Sequence, residues 1–202
     1  MVRRRALIVV DVQRDFCPGG ALPVKGGDRI VEPVNELISA FEKEGSPVFF
    51  TRDWHPADHI SFRSRGGPWP PHCVESTPGV GFHPSLHIPD DATVISKGTR
   101  KNAEAYSGFQ GTSLAEQLRA RGVIDVYVSG LATDYCVKNT VLDGISNGFN
   151  VELVTDCIAG VNVKPEDSVD AIMTMVAAGA KGTTCEEVVK KMSRRAAVSS
   201  SS

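Results

Sequence analysis

A parallel β-sheet wrapped by α-helices is the fold class that the sequence predicts, and two observations predict it. Short apolar runs of strand length alternate along the chain with segments of helical period, the pattern of successive β-α-β units. The runs read as buried strands, as a sheet covered by helices on both faces requires. The first run, residues 6–10, leads to a helical stretch in which Ile30, Val34, Leu37, Ile38 and Phe41 share one face, with Asp28 placed to open the helix. Residues 47–51 and 93–96 are the second and third strands, and Ser113 with Glu116 reads as a capping box opening the next helix. After the fourth strand, 124–129, Thr133 is a candidate cap that sets Cys136 in the first turn behind it. Residues 151–155 form the fifth strand. Pro165 then suits a first helical turn, with Val169, Ile172, Met173 and Val176 keeping the period behind it. Residues 180–183 are a weaker sixth strand because of Gly182. A last helix opens on the capping box Thr184–Glu187, with Cys185, Val188, Val189 and Met192 on one face.

The 202 residues suffice for one domain, expected over 1–195, with 196–202 a disordered tail ending in serines. Hydrophobic residues at 41% and charged residues at 23% are those of a soluble globular chain. Twenty-two basic against 24 acidic residues leave a net charge of −2. That excludes a protein held to nucleic acid or an anionic membrane mainly by charge. The basic start followed by an apolar run stops at Asp11 after five apolar residues, short of the ~7–15 of a secretion signal. No run approaches the ~20 residues of a membrane span, so a cytoplasmic protein is expected. Five widely spaced cysteines without a Cys-x-x-Cys pair support neither a disulfide framework nor a cysteine zinc site.

In an open parallel sheet, ligands bind beyond the carboxyl ends of the strands. Four groups stand there: Asp11, the pair Asp53 and His55, Lys97, and Cys136 in the run Gly130-Leu131-Ala132-Thr133-Asp134-Tyr135-Cys136. Each also has an ordinary reading: Asp11 as a turn cap, Lys97 as a solvated charge, Cys136 as a small buried apolar residue. Coincidence of all of them at one sheet edge favours function. Thiolate chemistry at Cys136 would draw on the helix start. Residues 54–92, expected to be a metal-binding loop region, hold all five histidines and seven of the 12 prolines. A connection of that length is more often functional than structureless. Asp53, His55 and His72, the last in a Pro70-Pro71-His72 turn, offer one carboxylate and two imidazoles. Such a set suits one divalent transition metal: zinc or iron(II), with manganese also compatible. His59 either joins this set or lies outside it as a solvated or supporting histidine. His83, His87, Cys17, Cys73, Cys157 and Cys185 read as structural, and Tyr127 as core. Gly79-Val80-Gly81 follows no strand and is not a dinucleotide loop.

Taken in order, the segments Asp11-Val12-Gln13-Arg14-Asp15-Phe16, Asp53-Trp54-His55-Pro56-Ala57-Asp58-His59, Trp69-Pro70-Pro71-His72-Cys73, Lys97-Gly98, Ala105-Tyr106-Ser107-Gly108-Phe109 and Gly130 to Val137 resemble the nicotinamidase/pyrazinamidase branch of the isochorismatase-like cysteine hydrolases. The resemblance implies a three-layer α/β/α sandwich around a six-stranded, mainly parallel sheet. It also implies a catalytic triad of Asp11, Lys97 and Cys136, a metal held by Asp53, His55 and His72, and a substrate ring between Phe16 and Trp69, with Tyr106 a further contact. The backbone N–H groups of Ala132 and Cys136 would bind the oxyanion, with a cis peptide joining Leu131 to Ala132. The implied activity is hydrolysis of nicotinamide, and of pyrazinamide, with a place in NAD salvage. The partners are then a small amide, no nucleic acid and no membrane; a homo-oligomer is compatible. Two departures are local: extra charge at Arg100, Lys101 and Glu104, which makes Lys101 a remote alternative to Lys97, and Gly182 in place of an apolar strand residue. Competing readings are a cysteine amidase for another small amide such as an N-carbamoyl compound, an isochorismatase, which would not need Cys136, and a non-catalytic metal- or redox-sensing domain.

Overall fold

The computed structural model describes residues 4–199, with side chains for 4–194. Its strands are β1 Arg4–Val10, β2 Val48–Asp53, β3 Thr93–Lys97, β4 Val123–Leu131, β5 Asn150–Ala159 and β6 Lys181–Thr183. They form one sheet in the order β3-β2-β1-β4-β5-β6, and every neighbouring pair is parallel. The chain winds outward from β1 to β3, then returns to β4 and winds outward on the other side. The order therefore reverses between β1 and β4, and the crevice beyond their carboxyl ends is where such sheets bind ligands. The helices are α1 Val31–Glu44, α2 Leu114–Ala120, α3 Lys138–Ser146, α4 Asp167–Ala177 and α5 Cys185–Ser199. No helix among the described residues is long and apolar enough to cross a membrane.

Strand β1 shows why its sequence lacks alternation. Leu7 and Val9 enter a core with α1 and α5, while Ala6, Ile8 and Val10 enter a second core with α2, α3 and α4. Both faces are dry, so both must be apolar. Tyr127 is fully buried in the first core. Gly182 does not prevent the sixth strand, which pairs Leu153 with Gly182 in a short edge ladder.

Several local expectations are corrected. Asp28 does not open α1; it lies in a 3₁₀ turn, Gly27–Ile30, that runs straight into the helix. Ser113 occupies the N-cap position of α2 without a side-chain cap bond, and the hydroxyl of Thr112 accepts the Leu114 N–H instead. The capping box at α5 forms in both halves: Glu187 accepts the Thr184 N–H and Thr184 accepts the Glu187 N–H. In α4 the buried stripe is rotated from the one that periodicity suggested. Ala171 and Met175 are buried, whereas Val169, Met173 and Val176 are 49–58% exposed. The helix packs against the turn Thr133–Val137 and α3, and which of its faces those segments cover is not visible in apolar spacing alone. Helix α5 continues through Ser199, into the stretch 196–202 expected to be disordered, because the strong helix formers Arg194, Arg195, Ala196 and Ala197 precede the serines. Residues 200–202 lie outside the described residues.

The end of β4 lies tight against β1. Gly130 has φ +113°, and a Cβ there would overlap the Val10 backbone, its carbonyl oxygen first. Gly130→Ala is therefore expected to cost several kcal/mol, measured as a loss of denaturation midpoint. A variant as stable as the parent would contradict this packing.

Candidate active site

Beyond the carboxyl ends of β1, β2 and β3, charged groups converge out of water. Asp11 follows β1 directly, with φ +47°, in the left-handed region that Asp tolerates better than most residues. Its N–H donates to the Thr51 carbonyl at 3.2 Å, and its Oδ1 accepts the Thr51 hydroxyl at 2.6 Å. Lys97 ends β3 and reaches across the sheet edge, so that its Nζ lies 2.8 Å from Asp11 Oδ2 and 2.5 Å from Asp53 Oδ1. The same ammonium donates to the Ala105 carbonyl at 3.3 Å and to Cys136 Sγ at 3.4 Å. Lys97 is 1% exposed; it is one of the buried groups of this crevice, not a solvated charge. Lys101, the remote alternative, is half-exposed and pairs with Asp58 outside the cluster.

Cys136 sits in a π-helical turn, Thr133–Val137, that leads into α3. Thr133 does not cap it; the N-cap position is Ala132, and the Tyr135 and Val137 N–H groups both return to the Ala132 carbonyl. π turns of this kind recur at functional sites. The peptide joining Leu131 to Ala132 is cis.

Burial is the largest influence on the titration of these groups. It raises the Cys136 thiol well above its usual range, with Asp11 and Asp53 adding to the rise and Lys97 only partly opposing it. Burial thus holds the sulfur as a thiol against the pull of the cation and the turn at the start of α3, because desolvation outweighs them. Burial also raises the Asp11 carboxyl, against the opposing pull of Lys97. For Lys97, burial disfavours the charge, but Asp11 and Asp53 more than compensate and keep it protonated. Asp53 resists its own burial through Lys97 and His55 and stays ionised.

Asp53 turns its other oxygen to the two imidazoles. Oδ2 lies 3.5 Å from His55 Nε2 and 4.0 Å from His72 Nε2, and the three donor atoms lie within 4.8 Å of one another. His55 Nδ1 donates to the Gly98 carbonyl at 2.9 Å and His72 Nδ1 to the Pro70 carbonyl at 2.8 Å. Those bonds place the protons on Nδ1 and leave both Nε2 lone pairs toward the carboxylate, the arrangement of metal-binding histidines. One carboxylate and two imidazoles presenting Nε2 fit a divalent transition metal. Gly98 contributes by lacking a side chain: at φ +63°, a Cβ would overlap the His55 ring. Asp11, Asp53 and Cys136 also lie within 4.8 Å of one another, but the Lys97 ammonium bonds all three and disfavours a second cation there. His59 is not in the donor group. His87 pairs with Glu42 on the surface.

Aromatic side chains flank the crevice. Trp69 Nε1 donates to the Tyr106 hydroxyl at 3.0 Å, and Tyr135 packs edge-on against Trp69 with ring centroids 5.0 Å apart. The buried Phe16 lies 5.5 Å from the His72 ring. Three polar residues without an expected role hold the surrounding loops. Gln13 donates to the Asp53 and Val80 carbonyls and accepts the Asp53 N–H. Asp15 accepts the N–H groups of Cys73 and Ala21, and Asp134 accepts those of Val161 and Asn162. No local signal marks the first two: Gln13 and Asp15 flank Arg14, and the backbone groups that they bind lie far along the chain. Tyr135 carries no separate signal, because it adjoins Cys136 in a run whose cysteine dominates its chemistry.

A family model for the isochorismatase domain matches residues 5–187. The chain is 44% identical over 197 residues to a nicotinamidase of Escherichia coli, covering 87% of this chain and 92% of that protein. A pyrazinamidase of Pyrococcus horikoshii in complex with zinc superposes with a TM-score of 0.86 at 53% identity, covering 90% of this chain and 99% of that one. An L. infantum protein in complex with nicotinate superposes with a TM-score of 0.83 at 35% identity, covering 91% of this chain and 93% of that one.

Proposed function

The chain belongs to the isochorismatase family, and from that premise we propose that it is an amidohydrolase converting nicotinamide to nicotinate and ammonia through a thioester on Cys136. The observation that carries the reading is one buried carboxylate, Asp53, shared between a lysine–aspartate–cysteine cluster and a two-histidine donor set. A nucleophile and a ligand-orienting centre are thereby held at a fixed separation. The nicotinamidase and pyrazinamidase relatives support the same substrate class.

In this mechanism Asp11 takes the proton of the Cys136 thiol as Sγ attacks the amide carbon, and Lys97 stabilises the sulfur anion that forms. Attack coupled to proton transfer suits a thiol whose burial resists free ionisation. The Ala132 and Cys136 N–H groups hold the oxyanion, a role worth roughly 10²–10³ in rate per donor. Protonated Asp11 then delivers its proton to the departing nitrogen, the C–N bond breaks and ammonia leaves. Water hydrolyses the thioester, giving its proton to Asp11, and Cys136 leaves as the sulfur is reprotonated. Asp53, His55 and His72 would hold zinc or iron(II), which supplies a Lewis-acid contact that orients the pyridine ring. Phe16, Trp69 and Tyr106 bind the flat ring, and orientation of this kind contributes several kcal/mol to lowering a barrier.

The test is ammonia release from matched amides. Nicotinamide and pyrazinamide, which keep a ring nitrogen in the corresponding position, are expected to turn over. Benzamide, with the same shape and no ring nitrogen, should show a kcat/KM lower by roughly tenfold or more. Equal benzamide turnover would remove the ring-orienting role of the histidine site. Preference for an aliphatic amide would replace nicotinamide with the broader cysteine-amidase reading.

A further inference from the structure

We propose that His59 is a positioning residue that fixes the ring of the metal ligand His55 without binding metal itself; the proposal rests on Asp53, His55 and His72 being a metal site. His59 is fully buried, and its imidazole lies face to face with that of His55, centroids 4.2 Å apart and planes inclined by 23°. Both of its ring nitrogens are already engaged. Nε2 lies 3.1 Å from the Ala103 carbonyl oxygen, which can only accept, so Nε2 carries the proton. Nδ1 then accepts from the Ser61 hydroxyl at 2.7 Å and the Ser61 N–H at 3.3 Å. Its lone pair is directed at Ser61, and none remains for a cation.

The contacts around His55 show what His59 adds. The Nδ1–H bond to Gly98 and the close fit of Gly98 hold one edge of the His55 ring. Phe62 and His72 meet the ring edge-on, at 5.7 Å and 5.1 Å. Among these ring contacts only His59 is stacked, so it is the one that resists tilting of the ring about the Nδ1–H bond. Tilting would swing Nε2 away from the point it shares with Asp53 and His72. The Ala103 bond also fastens His59 to the segment between Lys97 and Tyr106, reinforced by the Ile60 N–H to Lys101 carbonyl bond at 2.8 Å. His59 thus ties the metal site to the loop after the lysine.

The experiment uses the full chain, stripped of metal and titrated with zinc against a chromophoric chelator, with cobalt(II) substitution as a spectroscopic report on the donor set. His59→Ala is expected to bind zinc about 10–100-fold more weakly, the usual effect of removing a group that orients a ligand. His59→Phe keeps a ring face and should recover most of that loss, with the cobalt spectrum of the parent. If His59→Ala does not fold, His59→Gln, which keeps a donor for Ala103 but no ring, takes its place with the same expected loss. Parent-like zinc affinity in the ring-less variant would overturn the positioning role. So would a His59→Phe variant that binds as weakly as the ring-less one, and an altered cobalt spectrum there would identify His59 as a ligand. Failure of the parent chain to bind zinc or cobalt at all would instead refute the metal reading on which the proposal rests.

Discussion

Cys136→Ala is expected to abolish ammonia release from nicotinamide, lowering kcat by about 10⁴-fold or more, as removal of a covalent nucleophile does elsewhere. The side chain is buried beside Lys97, with Sγ 3.4 Å from its Nζ; Cys73 also feels Asp53, Asp11 and Lys97 but has no such bond to the lysine. Cys157 and Cys185 lie in the core between the sheet, α1 and α5, on the face opposite that of Cys136. Truncating a small buried thiol costs about 1 kcal/mol, so the Cys136→Ala variant should melt close to the parent. Cys157→Ala and Cys185→Ala should lose stability by a similar amount and keep their activity. Substantial turnover by well-folded Cys136→Ala would end the thioester mechanism. Inactivity of the two core variants despite normal folding would mean that the sulfur chemistry has been assigned to the wrong residue.

Lys97→Met is expected to damage both activity and stability. Methionine keeps much of the length of the side chain and removes the charge, leaving Asp11 and Asp53 as two buried carboxylates that Lys97 now bridges at 2.8 Å and 2.5 Å. Removing one partner of a buried ion pair costs about 3–5 kcal/mol, because the remaining charge is left uncompensated. Burial and Asp53 already raise the Asp11 carboxyl, and Lys97 is what opposes them. Without it, Asp11 should rise further and hold its proton near neutrality, where it can no longer accept one from Cys136. Activity should therefore fall by about 10³-fold or more, combining loss of the base with loss of the cation beside sulfur. The sign of the pH dependence comes from linkage. A carboxyl whose folded pKa lies above its unfolded one binds more protons when folded, so folding gains stability as pH falls. The deficit of Lys97→Met relative to the parent should narrow as the pH is lowered from neutral toward the acid range, measured by denaturant titration at several pH values. A deficit independent of pH, or a variant as stable as the parent, would show that Lys97 does not neutralise these carboxylates.

Much of this site is legible in the sequence. Asp11, Asp53, His55, Lys97 and Cys136 each stand just after a recognisable buried strand, and parallel strands carry the residues at their carboxyl ends to one edge. His72 is legible from its rigid proline turn. The supporting residues are harder to read because their role lies in bonds to distant backbone. Gln13 is 40 positions from the Asp53 backbone that it pairs with, and Asp15 is 58 from Cys73. Nothing local distinguishes such an amide or carboxylate from a solvated one. His59 illustrates the limit most directly. Its type and its neighbourhood are compatible with a ligand, and only the positions of Ser61 and Ala103 show where its nitrogens point.

The sequence by itself determined the α/β class, six strands, the crevice edge and the chemical groups that meet there. Those properties arise from hydrophobic period and strand length, which are encoded over a few residues at a time. Tertiary structure alone decided which face of α4 is buried, how α1 and α2 begin, and that burial keeps Cys136 a thiol. It also decided that one carboxylate, Asp53, serves both Lys97 and the two histidines. These depend on strand order, register and the exclusion of water by segments far apart in the chain. Desolvation and charge pairing are properties of the packed assembly, and no local stretch of sequence carries them.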